Sequence, residues 1–149
     1  INLVIIVKLV IMYYIKLMMK NTILKLLEYV YYFSLVILFI LYLYPGSLIG
    51  YFLYGNLGQQ PNLIPNPIGT SINHLIFFSF ITTLALIIRS NAINIFTDYK
   101  IILLISFILE ILHFIIPNRT FEFYDLIANM LGVLLIIFIK RFVKWLNYP

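Results

Sequence analysis

Long apolar runs, broken at a few points by charge or by proline and glycine, dominate the chain. The run Tyr29 to Tyr44 is almost uniformly apolar, follows Lys20 and Lys25, and stops at the helix breakers Pro45 and Gly46, which predicts a first membrane span. His74 to Ile88 predicts a second span, ended by Arg89, and Ile101 to Ile116 a third, started by Lys100 and stopped by Pro117. Leu126 to Ile139 predicts a fourth, beginning near Tyr124 and closed by Lys140, Arg141 and Lys144, with Trp145 as an interfacial anchor. These runs fall short of the ~20 residues a spanning helix needs, so their ends are expected to extend into the flanking polar residues.

Two stretches break this rhythm. Residues 46 to 73 carry five of the six glycines, several prolines and no charge. That composition predicts a surface loop or a loop partly re-entering the membrane, not a regular spanning helix. Residues 1 to 17 are apolar but interrupted by Lys8 and Lys16, and they open with Ile. A fifth span, an interfacial amphipathic helix and sequence upstream of a start at Met18 or Met19 are the three readings; the last two together fit better than the first. The expected organisation is an N-terminal apolar segment over 1–26 and a transmembrane domain over 27–145. The expected fold class is all-α, an integral membrane bundle of four transmembrane helices, with or without an extra N-terminal interfacial helix.

Composition supports the bilayer as solvent. Of 149 residues 64% are apolar and 10% charged, against about 45–50% and 25% in a soluble domain. Too few charges remain to coat a soluble particle. There is no cysteine, so disulfides, thiolate zinc sites and thiol nucleophiles are excluded. The net charge of +5 reads as a topology signal and not as a nucleic-acid footprint. With four alternating helices, Lys20, Lys25, Arg89, Lys100, Lys140, Arg141 and Lys144 all fall on one side, which the positive-inside rule makes cytoplasmic. A multi-pass protein of the plasma (inner) membrane with both termini inside follows, and residues 46–73 and 117–123 lie outside.

Ionisable groups within spans are costly and mark function by default. Here they are His74, Glu110, His113 and Asp125, with Arg119 just beyond the third span. Glu110 stands nine residues into that span, about 14 Å along its axis at 1.5 Å per residue, near the bilayer centre or slightly beyond. Ser106, Glu110 and His113 follow i, i+4, i+7 on one helix face, and Asp125, Asn129 and Gly132 repeat the spacing on the next helix. All of these groups fall in the outer half of the bundle, where they can converge. Gly132 lets two helices approach closely.

The stretch Glu110-x-x-His113-x-x-x-Pro117-x-Arg119, followed by Asp125-x-x-x-Asn129-x-x-Gly132, resembles the signature of VanZ-like membrane proteins, whose founder is linked to teicoplanin resistance. The run Asn62-Leu63-Ile64-Pro65 and a histidine, His74, opening a helix are similar too, and the resemblance covers roughly residues 30 to 142. Two positions depart: His113 stands where the family often has Gln, and Ser71 where it often has Lys. The resemblance implies an envelope-related role, contributing to glycopeptide resistance.

The residues themselves suggest an outward polar pocket. Arg119 would offer a planar fork to a phosphate or carboxylate. Glu110 and Asp125 would orient the ligand or exchange protons, and His74 and His113 would serve as acid or base. The expected partners are membrane lipid and a lipid-linked cell-wall precursor or glycopeptide, with no nucleic acid. Against this stand a structural reading, in which Glu110, Arg119 and Asp125 form a buried network fixing helix register, and a small proton-coupled transporter. Carboxylate-bridged metal bundles need two Glu-x-x-His pairs and this chain has one, so no metal is expected. No phosphate-binding glycine-rich loop, hydrolase elbow or zinc-protease motif occurs, so no cofactor is expected and no catalytic residue is assigned. Ser79, Thr82, Thr83 and Ser106 are expected to bond within their own helices. Tyr29, Tyr31, Tyr32, Tyr42 and Tyr44 are expected to form an interfacial belt.

Overall fold

The computed structural model describes residues 3–61, 69–88 and 97–147. The similarity carried by Asn62 to Pro65, and Arg89, lie outside these residues. Five helices run in order: α1 (Leu3–Leu43), α2 (Leu48–Tyr54), α3 (Gly69–Ile88), α4 (Tyr99–Leu112) and α5 (Phe123–Leu146). No strand occurs among the described residues. Three stretches are long and apolar enough to cross a membrane: Val10–Leu43 in α1, Ser71–Ile88 in α3, and all of α5.

The first helix is longer than the predicted span. Its 41 residues reach roughly 60 Å at 1.5 Å per residue, about twice a hydrocarbon core of ~30 Å. The helix continues without a break from the N-terminal segment into the apolar run, because nothing between them is a helix breaker. Its second half packs inward: Tyr31, Leu35, Leu38 and Tyr42 repeat at i, i+4, i+7, i+11 and are buried, whereas Met12, Tyr13, Met18 and Met19 are exposed.

Against that stripe lie Phe78, Ile81, Ala85 and Ile88 of α3, Ile102 and Leu109 of α4, and Val133 of α5, forming one core. The closest packing is between α3 and α5, and Gly132 explains it. A Cβ there would come within 2.6 Å of the Leu75 carbonyl oxygen and 3.0 Å of the Phe78 Cβ, so the backbones approach through a position that tolerates no side chain. Ser79 Oγ adds a bond to the Gly132 carbonyl at 3.1 Å. That bond crosses helices, unlike those of Thr83 to Ser79 and Ser106 to Leu103, which stay within their own. Thr82 Oγ1 is buried without a partner, against the expectation of a bond within α3. The outer shell is apolar, with Phe52, Phe138 and Trp145 well exposed, as suits a surface solvated by lipid.

Two boundaries differ from the sequence reading, and both move the site. The glycine-rich stretch is not all loop. Ser47 caps α2 by accepting from Gly50 N at 2.9 Å, and Gly55, at φ 69°, ends it. Gly50 is buried against Gln59, whose carbonyl oxygen would lie 1.6 Å from any Cβ. Helix α3 begins at Gly69, so His74 lies in its second turn and Ser71 joins the helix. Helix α4, in turn, ends at Leu112 and not at Ile116: His113 is its C-cap, its N–H bonding the carbonyls of Glu110 and Ile111, and turns follow up to Pro117. At 14 residues α4 is about 21 Å long. Glu110 therefore sits in its last turn and not at mid-helix.

Candidate functional site

Two polar stripes meet where α4 turns back into α5. Ser106, Glu110 and Asn129 are fully buried, with Asp125 3% and His113 4% exposed. Helical spacing alone accounts for this, since i, i+3 and i+4 positions share a face. Asp125 also stands in the first turn of α5, where the helix dipole favours a carboxylate.

Glu110 is the hub. Its Oε1 faces His113 Nδ1 at 3.1 Å and accepts from the Glu122 backbone N–H at 3.4 Å; its Oε2 accepts from Asn129 Nδ2 at 3.3 Å and lies 4.0 Å from His74 Nδ1. Asn129 Nδ2 also reaches the Ser106 carbonyl at 3.5 Å. The contact with Glu122 means that a side chain of α4 holds the N-cap of α5, whose own side chain makes no capping bond.

His74 lies between both acids. Its Nε2 is 3.4 Å from Asp125 Oδ2, and Ser71 Oγ donates to the other oxygen, Oδ1, at 2.5 Å. Its Nδ1 is 2.6 Å from Tyr42 Oη and 3.1 Å from Asn129 Oδ1, while Tyr42 Oη donates to Asn129 Oδ1 at 2.8 Å. Tyr42 stacks on His113, with ring centroids 5.4 Å apart, and meets His74 edge-on at 5.4 Å. A buried carboxylate is stable only when its lone pairs are met, and here hydrogen bonds and imidazoles meet them.

Arg119 takes a different place from the one its spacing suggests. Its Nε donates to the Tyr44 carbonyl at 3.3 Å and its Nη2 to that of Leu41. It thus satisfies the open carbonyls at the C-terminus of α1, the negative end of that helix. It forms no ion pair with Glu110 or Asp125; the ring nitrogens of His74 and His113 lie against the acids instead. Partial burial lowers the Arg119 pKa, against the opposing pull of Tyr42, Glu110 and Asp125. Glu122, at the same loop, has its carboxyl pKa raised by burial first and by Asp125 and Glu110 next.

The cluster borders a pocket of about 120 Å³. Tyr42, His74, His113 and Arg119, with Ser47, Gln60 and Asn73, supply its polar wall, and side chains such as Leu41, Ile49 and Phe77 its apolar one. Helix α2 contributes Leu48 and Ile49 to the pocket, and Tyr51 and Phe52, further along it, are exposed.

Of the expected site residues, His74, Glu110, His113, Asp125 and Asn129 converge; Arg119 reaches the pocket from the α1 side, and Gly132 sets the packing of α3 on α5. Tyr42 and Ser71 were not expected among them. Tyr42 at 8% and Tyr31 at 0% exposure are core residues, whereas Tyr29 at 73% is exposed. The signal for Tyr42 is its spacing from Tyr31, Leu35 and Leu38; for Ser71 it is the i, i+3 step to His74. Comparison of the chain with family models, curated proteins and solved structures finds no match.

Proposed function

We propose that this chain is a VanZ-like multi-pass protein of the plasma membrane whose outward pocket binds the polar head of a cell-envelope or lipid-linked substrate, contributing to teicoplanin resistance. Four helices, α1, α3, α4 and α5, cross or enter the membrane with both termini on the cytoplasmic side. What carries the reading is the adjacency of the His74, Glu110, Asp125 and His113 cluster to a pocket that also holds Arg119. A guanidinium recognises a phosphate or carboxylate, and a membrane protein keeps such costly groups chiefly for function.

Single replacement of Glu110, Arg119 and Asp125 by Ala, with membrane level and teicoplanin susceptibility measured in a host expressing the chain, tests this. The expected result is loss of protection at normal protein level for at least one variant. Unchanged susceptibility at normal level for all three would overturn it. A second reading, a network that only fixes helix register, is favoured by the near-complete satisfaction of the Glu110 carboxylate. It requires protein level to collapse in the same variants. A proton-coupled transporter instead requires Glu110-dependent proton flux in vesicles.

A further inference from the structure

The chain has two histidines, and the cluster treats them unequally. His74 has both ring nitrogens engaged, Nδ1 by Tyr42 and Asn129 and Nε2 by Asp125. His113 has only Nδ1 engaged, by Glu110 at 3.1 Å; its Nε2 is buried and has no hydrogen-bond partner. A buried polar atom without a partner is costly. His113 forms part of the pocket wall, so a bound molecule is the natural partner.

The chemistry of that molecule follows from which proton His113 carries. The Glu110 carboxylate beside Nδ1 draws a proton to that nitrogen, and in this tautomer Nε2 offers a lone pair. The ligand must then bring a donor. Arg119 sits in the same wall with Nε and Nη2 turned to the carbonyls of α1, which leaves Nη1 for an anion. Leu38, Leu41, Leu48, Ile49 and Phe77 give the pocket an apolar side that accepts hydrocarbon, and Ser47, Gln60 and Asn73 add polar groups at its edge.

We infer that the pocket takes an anionic amphiphile carrying a free hydroxyl, of the polyol phosphate class, whose hydroxyl donates to His113 Nε2 while its anion faces Arg119. This rests on the pocket being the substrate site proposed above. His113 is specific to the hydroxyl and Arg119 to the charge, so the two contributions separate.

The test uses the full chain with 15N-labelled histidine in phosphatidylcholine nanodiscs, titrated with short-chain phosphatidylglycerol. Two-bond nitrogen–proton correlations are expected to give the Nδ1–H tautomer for His113, with phosphatidylglycerol shifting its Nε2 and leaving His74 in place. Short-chain phosphatidylcholine, which has the phosphate but no hydroxyl, is expected to leave Nε2 unmoved. A shift reproduced by soluble glycerol phosphate assigns the free headgroup as the source; a shift seen only with the lipid assigns the amphiphile. His113→Phe keeps a ring against Tyr42 and is expected to weaken phosphatidylglycerol binding about tenfold, the loss of one hydrogen bond. A proton on Nε2, or binding unchanged by His113→Phe yet lost in Arg119→Ala, would overturn the hydroxyl assignment and leave the site standing. Absence of binding by glycerol phosphate and by both lipids would overturn the site as well.

Discussion

His74 Nε2 lies 3.4 Å from Asp125 Oδ2, joining α3 to the first turn of α5 at the same level as the polar end of α4. Removing one partner leaves the buried polar groups it met without a hydrogen bond, at a cost of about 1–3 kcal/mol. Asp125→Ala, which also strips Ser71 of its acceptor, is expected to lower the unfolding midpoint in detergent by that order. Asp125→Asn, which keeps an acceptor for Ser71, is expected to lose less. Equal losses would mean that the charge, which both variants remove, carries the joint and the acceptor for Ser71 adds nothing.

Tyr42→Phe removes one oxygen that touches both His74 Nδ1 and Asn129 Oδ1. The stacking on His113 survives, so the expected loss is about 1–2 kcal/mol, the value of a buried hydrogen bond with its partners left short. Thermal unfolding measures it. A neutral result would return Tyr42 to the interfacial role its place near the end of the span suggests.

That residue shows how far the sequence could be read. The stripes on α4 and α5 were legible because polar positions in an apolar helix repeat at three and four, and a membrane tolerates such a repeat only where it is buried. Tyr42 was not, since a tyrosine near the end of a span reads as a headgroup anchor until the spacing from Tyr31, Leu35 and Leu38 is set beside it. Ser71 was hidden by a loop assignment: glycine and proline content described 46–73 as a whole, but α3 begins within it at Gly69. For Arg119 the loop was legible, and of its two readings the pairing with Glu110 and Asp125 does not form. Charge attraction suggested the carboxylates, whereas the open carbonyls at the end of α1, which no residue pattern advertises, hold it.

Gly132→Ala places a methyl group 2.6 Å from the Leu75 carbonyl oxygen. Backbone must shift, and overpacking of this kind costs about 1–3 kcal/mol. Gly58→Ala, whose Cβ would meet nothing closer than 3.4 Å, is the matched control, expected to be neutral in the same unfolding assay. Equal stability of the two variants would exclude close packing of α3 on α5 through Gly132.

Glu122 supplies a pH dependence. Its folded pKa is raised by burial and by Asp125 and Glu110, so the folded state holds its proton more tightly than the unfolded chain. The stabilising contribution of the protonated form is complete below the ordinary carboxylate range and is lost as pH rises through the raised value. Glu122→Gln is therefore expected to raise the unfolding midpoint at neutral pH and leave it unchanged in acid. Its backbone bond to Glu110 is untouched by the substitution. A midpoint gain that persists unchanged in acid would contradict the desolvated carboxyl.

The central claim is that the polar pocket opens on the outer face of the membrane, and the absence of native cysteine makes its sidedness directly measurable. Thr120→Cys, exposed in the loop beside Arg119, and Lys100→Cys, exposed at the start of α4, are labelled in intact cells with a thiol reagent that cannot cross the membrane. The expected result is labelling at position 120 from outside and at position 100 only after the membrane is opened. Labelling of position 100 in intact cells, with position 120 protected, would place the pocket on the cytoplasmic side and contradict the claim.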